Sequence, residues 1–400
     1  MNPIRLKITE GMRTLMDYPK LAGPVPRIMV LESQYWLDSA CMNAAHAMGW
    51  ELAHAPVALE GEMPREMIAQ FIQTLLEFRP DFVLSINLSG MDENGLFAGL
   101  FADLRVPYVT WFVDDPRTIL MNRTIYASDY AIALTWEAAY ADYLTKTGFA
   151  ETHVMPLAVD PSLFNAASSE VWDHPPSFVG NSMVDFSERE GVRIKNHPRL
   201  NAVVNEAFEA DRVTRENFSK GLAAILGDLT NFDAEEQRAA ELYFFIEGTR
   251  RLRHKIMAGL TPEGVVARGD DAWRQVTPLF GPQVNYRLEL PDFYRRCEVN
   301  LNITSIQMAS AANQRVFDCP AAGGFLLTDA QSSLEMLFDV EREITQYHSL
   351  EECVDLLHYY RNHPSARMEK TSRAREHILQ EHTYTHRLQR IAEIVRNRFS

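Results

Sequence analysis

The stretch "ANQRVFDCPAAGGFLLTDA", residues 312–330, gathers Asn313, Gln314, Arg315 and Asp318 just ahead of Gly323 and Gly324. Residues three and four apart share one helix face. Gln314 therefore aligns with Phe317 and Asp318, and Arg315 with Asp318. A carboxylate one turn after a guanidinium suits a sugar diol beside a phosphate. A plain Arg315–Asp318 ion pair at a helix end fits the same spacing.

A second candidate is "SFVGNSM", residues 177–183. Gly180 follows an apolar run and precedes Asn181 and Ser182, so backbone N–H groups there can approach a phosphate. A tight turn out of a strand explains it equally. In "WFVDDPR", Asp114 and Asp115 close another apolar run, and Pro116 holds the preceding residue extended. A rigid carboxylate there suits a general base, and a helix N-cap suits the same pair. Asn87, in "SINLSG", closes a third run, and Ser33 and Gln34 a fourth. The loop "FGPQVNYRLELPDFY", with Tyr286, suits presenting backbone groups to a nucleobase, and a plain connection between strand and helix explains it equally. Asp270 and Asp271 read as caps of a following helix. His382 and His386 have a metal-compatible i, i+4 spacing, but no carboxylate–histidine motif accompanies them, so no metal site is expected.

These residues need elements to hold them. Apolar runs at 27–33, 81–87, 107–113, 129–135 and 151–159 read as strands, with helical stretches between most of them. That alternation implies βαβ units and a parallel sheet covered on both faces. Ligands in such sheets sit beyond the carboxyl ends of the strands, where Gln34, Asn87, Asp114 and Asp115 fall. A linker rich in Ser, Asp and Pro covers 160–176. A second alternating region follows, interrupted by charged helical sequence at 184–260, and from Ser349 onward the pattern is helical. The expected fold is α/β, of GT-B type, with two Rossmann-like domains facing a cleft. Domain one covers 1–165 and domain two 166–382, with a helical insertion at 184–260. The tail at 383–400 is expected to be a helix packing back on the first domain.

The formal net charge of −15 argues against wrapping nucleic acid. The four cysteines form no CxxC pair, and no apolar run is long enough to span a membrane. The amino terminus lacks the apolar core of a signal peptide, so a cytoplasmic setting is expected.

The blocks at 80–120, "SFVGNSM", "FYRRCEVNLNIT", "NQRVFDCPAAGGFLLTD" and "EHTYTHRL" together resemble the bacterial CgeB-like (spore maturation protein-like) glycosyltransferases. The resemblance covers roughly 26–160 and 175–395. It implies a metal-independent hexosyltransferase whose second domain holds a UDP- or GDP-linked sugar, with no other cofactor. It implies a glycan, lipid-linked or protein acceptor, and a lipid-linked one would bring the protein to the membrane surface without a span. It places Phe317–Asp318 in the phenylalanine–acid position that holds the nucleotide ribose. Ser310 stands eight positions earlier, where a retaining enzyme would carry a first acid. For such a reaction Gly180, Asn181, Ser182, Asn313, Arg315, Gly323 and Gly324 are the candidates to serve the donor, Asp114 or Asp115 is the base if the enzyme inverts, and Gln34, Asn87, Tyr286 and His382 are the candidates to line the cleft. Two rival readings share the scaffold: a sugar-nucleotide epimerase and a non-catalytic nucleotide-sugar binding protein.

Overall fold

A computed structural model describes residues 6–32, 36–56, 64–92, 94–121, 123–166 and 171–399. Ser33 and Gln34 lie outside them. The chain divides into two units, Met1–Pro156 with Tyr384–Ser400, and Leu157–Thr383.

The first unit is built on six parallel strands: β1 (Arg27–Glu32), β2 (Glu51–Pro56), β3 (Phe82–Ile86), β4 (Tyr108–Phe112), β5 (Ala131–Thr135) and β6 (Glu151–Val154). Their order is β2-β1-β3-β4-β5-β6. Every residue of β3, β4 and β5 is buried. Strands covered on both faces read as continuous apolar runs, which is why "FVLSI", "YVTWF" and "AIALT" stand out. The last helix, Tyr384–Phe399, belongs to this unit. Its Tyr384 ring lies 6.3 Å from Trp36 and 6.1 Å from Trp111, and Phe399 stacks on Tyr130 at 5.3 Å.

The second unit holds six shorter parallel strands: β7 (Ser177–Val179), β8 (Val266–Arg268), β9 (Phe280–Gly281), β10 (Asn300–Asn302), β11 (Leu326–Asp329) and β12 (Thr345–Tyr347). Their order is β12-β11-β10-β7-β8-β9. The unit begins at Leu157, earlier than the boundary at 165 read from composition. The physical reason is a turn at Asp160, which accepts the Ser162 amide at 2.9 Å and its hydroxyl at 2.7 Å. That turn buries Phe164 completely, 5.3 Å from the Tyr286 ring.

The stretch 184–260 is not one insertion. The 27-residue helix Ala234–Leu260, started by a capping box at Asp233 and Glu236, is the crossover from β7 to β8. Met257 and Leu260 at its end are fully buried in the sheet core with Phe178 and Leu301. Only the four helices before it, between Val184 and Leu226, are additional. They form a separate small core with Phe208, Phe218 and Phe244.

Gly323 and Gly324 end the helix Gln314–Ala321 at the amino end of β11, opposite the side where ligands bind. Their N–H groups donate to Pro320 and Cys319 carbonyls at 2.9 and 3.0 Å. Gly323 has φ 84°, and a Cβ on Gly324 would come within 2.5 Å of the Tyr294 carbonyl oxygen. The glycine pair is therefore a helix stop packed against backbone, and corrects the reading of it as a phosphate cradle.

Candidate functional site

Strand β7 delivers Gly180, Asn181 and Ser182 at its carboxyl end. Gly180 extends the pairing with β8, its N–H donating to the Arg268 carbonyl at 2.9 Å. A Cβ on Gly180 would meet the Phe178 ring at 2.7 Å, so only glycine fits without a shift. Each carbonyl of this loop receives a side-chain donor. Trp273 Nε1 donates to Gly180 at 2.9 Å, Arg253 Nη1 to Asn181 at 2.7 Å, and His254 Nε2 to Ser182 at 3.0 Å. The Ser182 amide and hydroxyl both donate to Asp270, at 2.6 and 2.5 Å. Asp270 also caps the turn Asp271–Gln275 through the Ala272 amide, the capping role its sequence context suggests. Asn181 Oδ1 accepts the Met183 amide at 2.6 Å.

Arg315 reaches the same strand end. Its guanidinium donates to the Val179 carbonyl and to Asn302 Oδ1, 5.1 Å from the centre of the Phe178 ring. Asn313 Nδ2 donates to the same Asn302 oxygen at 2.8 Å. Arg253 approaches the same ring at 5.6 Å. Two guanidinium groups thus flank one aromatic ring, and the buried Nε atoms of both have no hydrogen-bond partner. Desolvation, with the Arg315 charge added, lowers Arg253 to about 10. Two cations held together in a partly dry place favour an anion between them.

Asp318 behaves differently from expectation. It is 1% exposed and makes no ion pair with Arg315. Gln314 Nε2 donates to one oxygen at 2.7 Å and the Tyr286 hydroxyl to the other at 2.8 Å. Gln314 also donates to the Ala158 carbonyl at 2.7 Å. Burial is the largest influence on the carboxyl and pushes it up to about 8, against the two donors. His382 is buried too. Its ring lies 5.7 Å from Phe317 and 5.3 Å from Phe338, and its Nε2 pairs with the Leu337 carbonyl at 3.1 Å. It is a packing residue, which corrects its reading as a cleft-lining one.

In the first unit, Asn87 adopts φ 53° at the end of β3. Its Oδ1 accepts the Val113 amide at 2.8 Å, and its Nδ2 donates to Asp114 Oδ2 at 2.9 Å. Asp115 is 2% exposed, caps the helix Pro116–Leu120 and pairs with Arg117 Nη2 at 2.5 Å. The adjacent carboxylates thus separate: Asp115 is locked in a cap and an ion pair, while Asp114 is half-buried at the strand end.

Residues 243–393 match the model of the glycosyl transferase-like family. This span holds Arg253, Asp270, Asn302 and Arg315. The matched residues run from the crossover helix of the second unit into the last helix. The fold is GT-B. Anabaena HepE, solved with UDP and glucose, superposes with a TM-score of 0.54 at 11% identity, covering 92% of this chain and 99% of that one. A glycosyltransferase from Rickettsia africae gives 0.54 at 8%, covering 94% and 99%. The T4 phage BGT, solved with UDP-glucose, gives 0.52 at 9%, covering 93% and 99%. No curated protein matches the sequence.

Arg253, His254 and Asn302 went unnoticed in the sequence. The first two lie in the basic run "TRRLRHK", which reads as a solvated helix face. Asn302 sits inside the short strand β10.

Proposed function

We propose that this chain transfers a sugar from a nucleotide-sugar donor, with the diphosphate held by Arg253 and Arg315 at the end of β7. The pair of guanidinium groups around Phe178 carries this reading. A departing nucleoside diphosphate gains negative charge, and fixed cations with oriented N–H groups stabilise it as it forms. Asn181 and Asn313 border the same place. Two structural neighbours were solved with UDP-glucose or with UDP and glucose, which supports a UDP-linked donor over a GDP-linked one. The five sequence blocks support the CgeB-like group within the glycosyltransferases. Four buried cysteines suit a reducing, cytoplasmic setting, and no helix among the described residues is long and apolar enough to cross a membrane. The acceptor is a glycan, a lipid-linked glycan or a protein.

The decisive measurement is a panel of UDP- and GDP-sugars, read by calorimetric binding and by release of the nucleoside diphosphate. UDP-sugars should bind and turn over. Silence across the whole panel rejects the proposal.

For the acceptor hydroxyl, the base is Asp114, oriented by Asn87. Asp114→Asn should lower kcat by roughly a hundred-fold or more, the ordinary contribution of a general base, without changing donor affinity. Asp115→Ala should instead lower the melting temperature, because it removes a helix cap and the ion pair with Arg117. Unchanged turnover in Asp114→Asn would move the base elsewhere.

A further inference from the structure

The long crossover helix carries a second residue that the proposed reaction does not use directly. His254 lies one position after Arg253, its ring 5.7 Å from Trp273. Its Nε2 meets the Ser182 carbonyl at 3.0 Å and its Nδ1 meets Arg250 Nη1 at 3.1 Å. A carbonyl only accepts, so Nε2 carries a hydrogen. A guanidinium only donates, so Nδ1 carries a lone pair. One form of the ring satisfies both partners, the neutral imidazole protonated on Nε2.

Arg250 is itself held. It makes a two-point contact with Glu247, Nε to Oε2 at 2.6 Å and Nη2 to Oε1 at 2.7 Å. Glu247 is 3% exposed and also accepts the Ser187 hydroxyl at 2.6 Å and Arg251 Nε at 2.7 Å. Burial alone would raise this carboxyl, but its donors bring it to about 2, so it stays ionised. A continuous chain of contacts therefore runs from Glu247 through Arg250 and His254 to the peptide that joins Ser182 to Met183.

We infer that His254 is a positioning residue, acting through the Ser182 carbonyl to hold the Gly180–Ser182 loop in its donor-binding shape. This rests on the proposal that the loop serves the nucleotide. The charged groups around the ring are Arg250 and Glu247 on its own helix and Asp270 ahead of the turn Asp271–Gln275; Arg253 is directed at Asn181 instead. Burial and then Arg250 hold the ring below the ordinary histidine value, outweighing Ser182, Glu247 and Asp270. The neutral, loop-holding form is thus complete at and above about pH 6.5, the ordinary value, and is lost as pH falls through the lowered one. A proton on Nδ1 would point at the Arg250 N–H and break the chain.

The test uses the full chain and UDP as the probe. Calorimetric affinity is measured from pH 5 to 8.5 for wild type, His254→Gln, His254→Ala and Arg250→Met. Wild-type affinity should fall on the acid side. His254→Gln keeps a donor and an acceptor but does not titrate, so it should retain affinity and lose the part of that fall due to the ring. The comparison also removes the titration of UDP itself. Arg250→Met removes the repelling charge and should move the fall to higher pH. His254→Ala should bind about five-fold more weakly than wild type at pH 8, the size of one lost hydrogen bond, and the gap should close on the acid side. An unaltered acid limb in His254→Gln overturns the inference while leaving the donor reading intact. If wild type binds no nucleotide, the donor reading fails and this inference with it. Independently of any ligand, nitrogen NMR of the ring at pH 8 should show hydrogen on Nε2, and hydrogen on Nδ1 would overturn it.

Discussion

Replacing Arg253 with methionine should weaken UDP binding about ten- to a hundred-fold while leaving the melting temperature nearly unchanged. Hydrogen bonds to charged groups contribute roughly 1.5–3 kcal/mol each, and about 1.4 kcal/mol is a tenfold change. The only protein acceptor of this guanidinium among the described residues is the Asn181 carbonyl, and its Nε has no partner. Its removal also relieves repulsion with Arg315, so the free protein should not suffer. Arg253→Lys should recover only part of the affinity, because an ammonium lacks the planar fork. Arg315→Met is a useful contrast. It should lose affinity and stability together, since Arg315 also ties Val179 to Asn302. Calorimetry with UDP reads the first effect and thermal unfolding the second. Full affinity in Arg253→Met would remove this residue from the donor site.

The second large effect concerns Asp318. Its carboxyl titrates near 8 in the folded chain against 3.8 as its ordinary value. The fold therefore favours the neutral acid. This contribution is complete below pH 3.8 and is lost as pH rises through 8, at roughly 1.4 kcal/mol per pH unit of separation. Asp318→Asn stays neutral throughout. Its amide still offers an oxygen to Gln314, and the Tyr286 hydroxyl can turn to accept from the new NH2. The variant should gain stability over wild type between pH 6 and 9, by up to several kcal/mol. Asp318→Ala should lose stability, because a buried donor left unpaired costs about 1–3 kcal/mol. Unfolding in urea across this pH range measures both. Parallel pH slopes in wild type and Asp318→Asn would show that the carboxyl is already ionised at neutral pH. The same variants report on ribose binding: a carboxyl engaged by Tyr286 and Gln314 must exchange one of them to take a diol.

The two-sheet plan was legible because buried parallel strands are apolar on both faces. The exception in the first unit is β2, "ELAHAP", an edge strand in which Glu51 and His54 are exposed. In the second unit β12 was missed and β9 is only two residues long, too short for any periodicity. The polar cluster at 313–318 stands out in the sequence, but only part of its internal pairing is legible there. Arg315 turns to Asn302 and Asp318 to Tyr286, partners 13 and 32 residues away in sequence. Local spacing gives the Gln314–Asp318 contact at i+4, which forms, and an Arg315–Asp318 pair at i+3, which does not. Arg253 was within reach of a simple argument. A three-residue strand spans roughly 10 Å, and a helix covers that in about seven residues. Counting back that far from Leu260, where the crossover helix ends, arrives at Arg253, level with the carboxyl ends of the strands.

The helix Tyr384–Phe399 has a consequence for how the protein is made. It completes the first unit, where Tyr384 fills the space beside Trp36 and Trp111, yet the entire second unit lies between it and β6. Domains usually fold in the order in which the ribosome releases them. Here the second unit is one continuous segment and can finish as it emerges, whereas the first must wait, its aromatic socket open, until the last helix has left the tunnel. The unit begun first is the one finished last, and that interval is when the nascent chain most needs a chaperone.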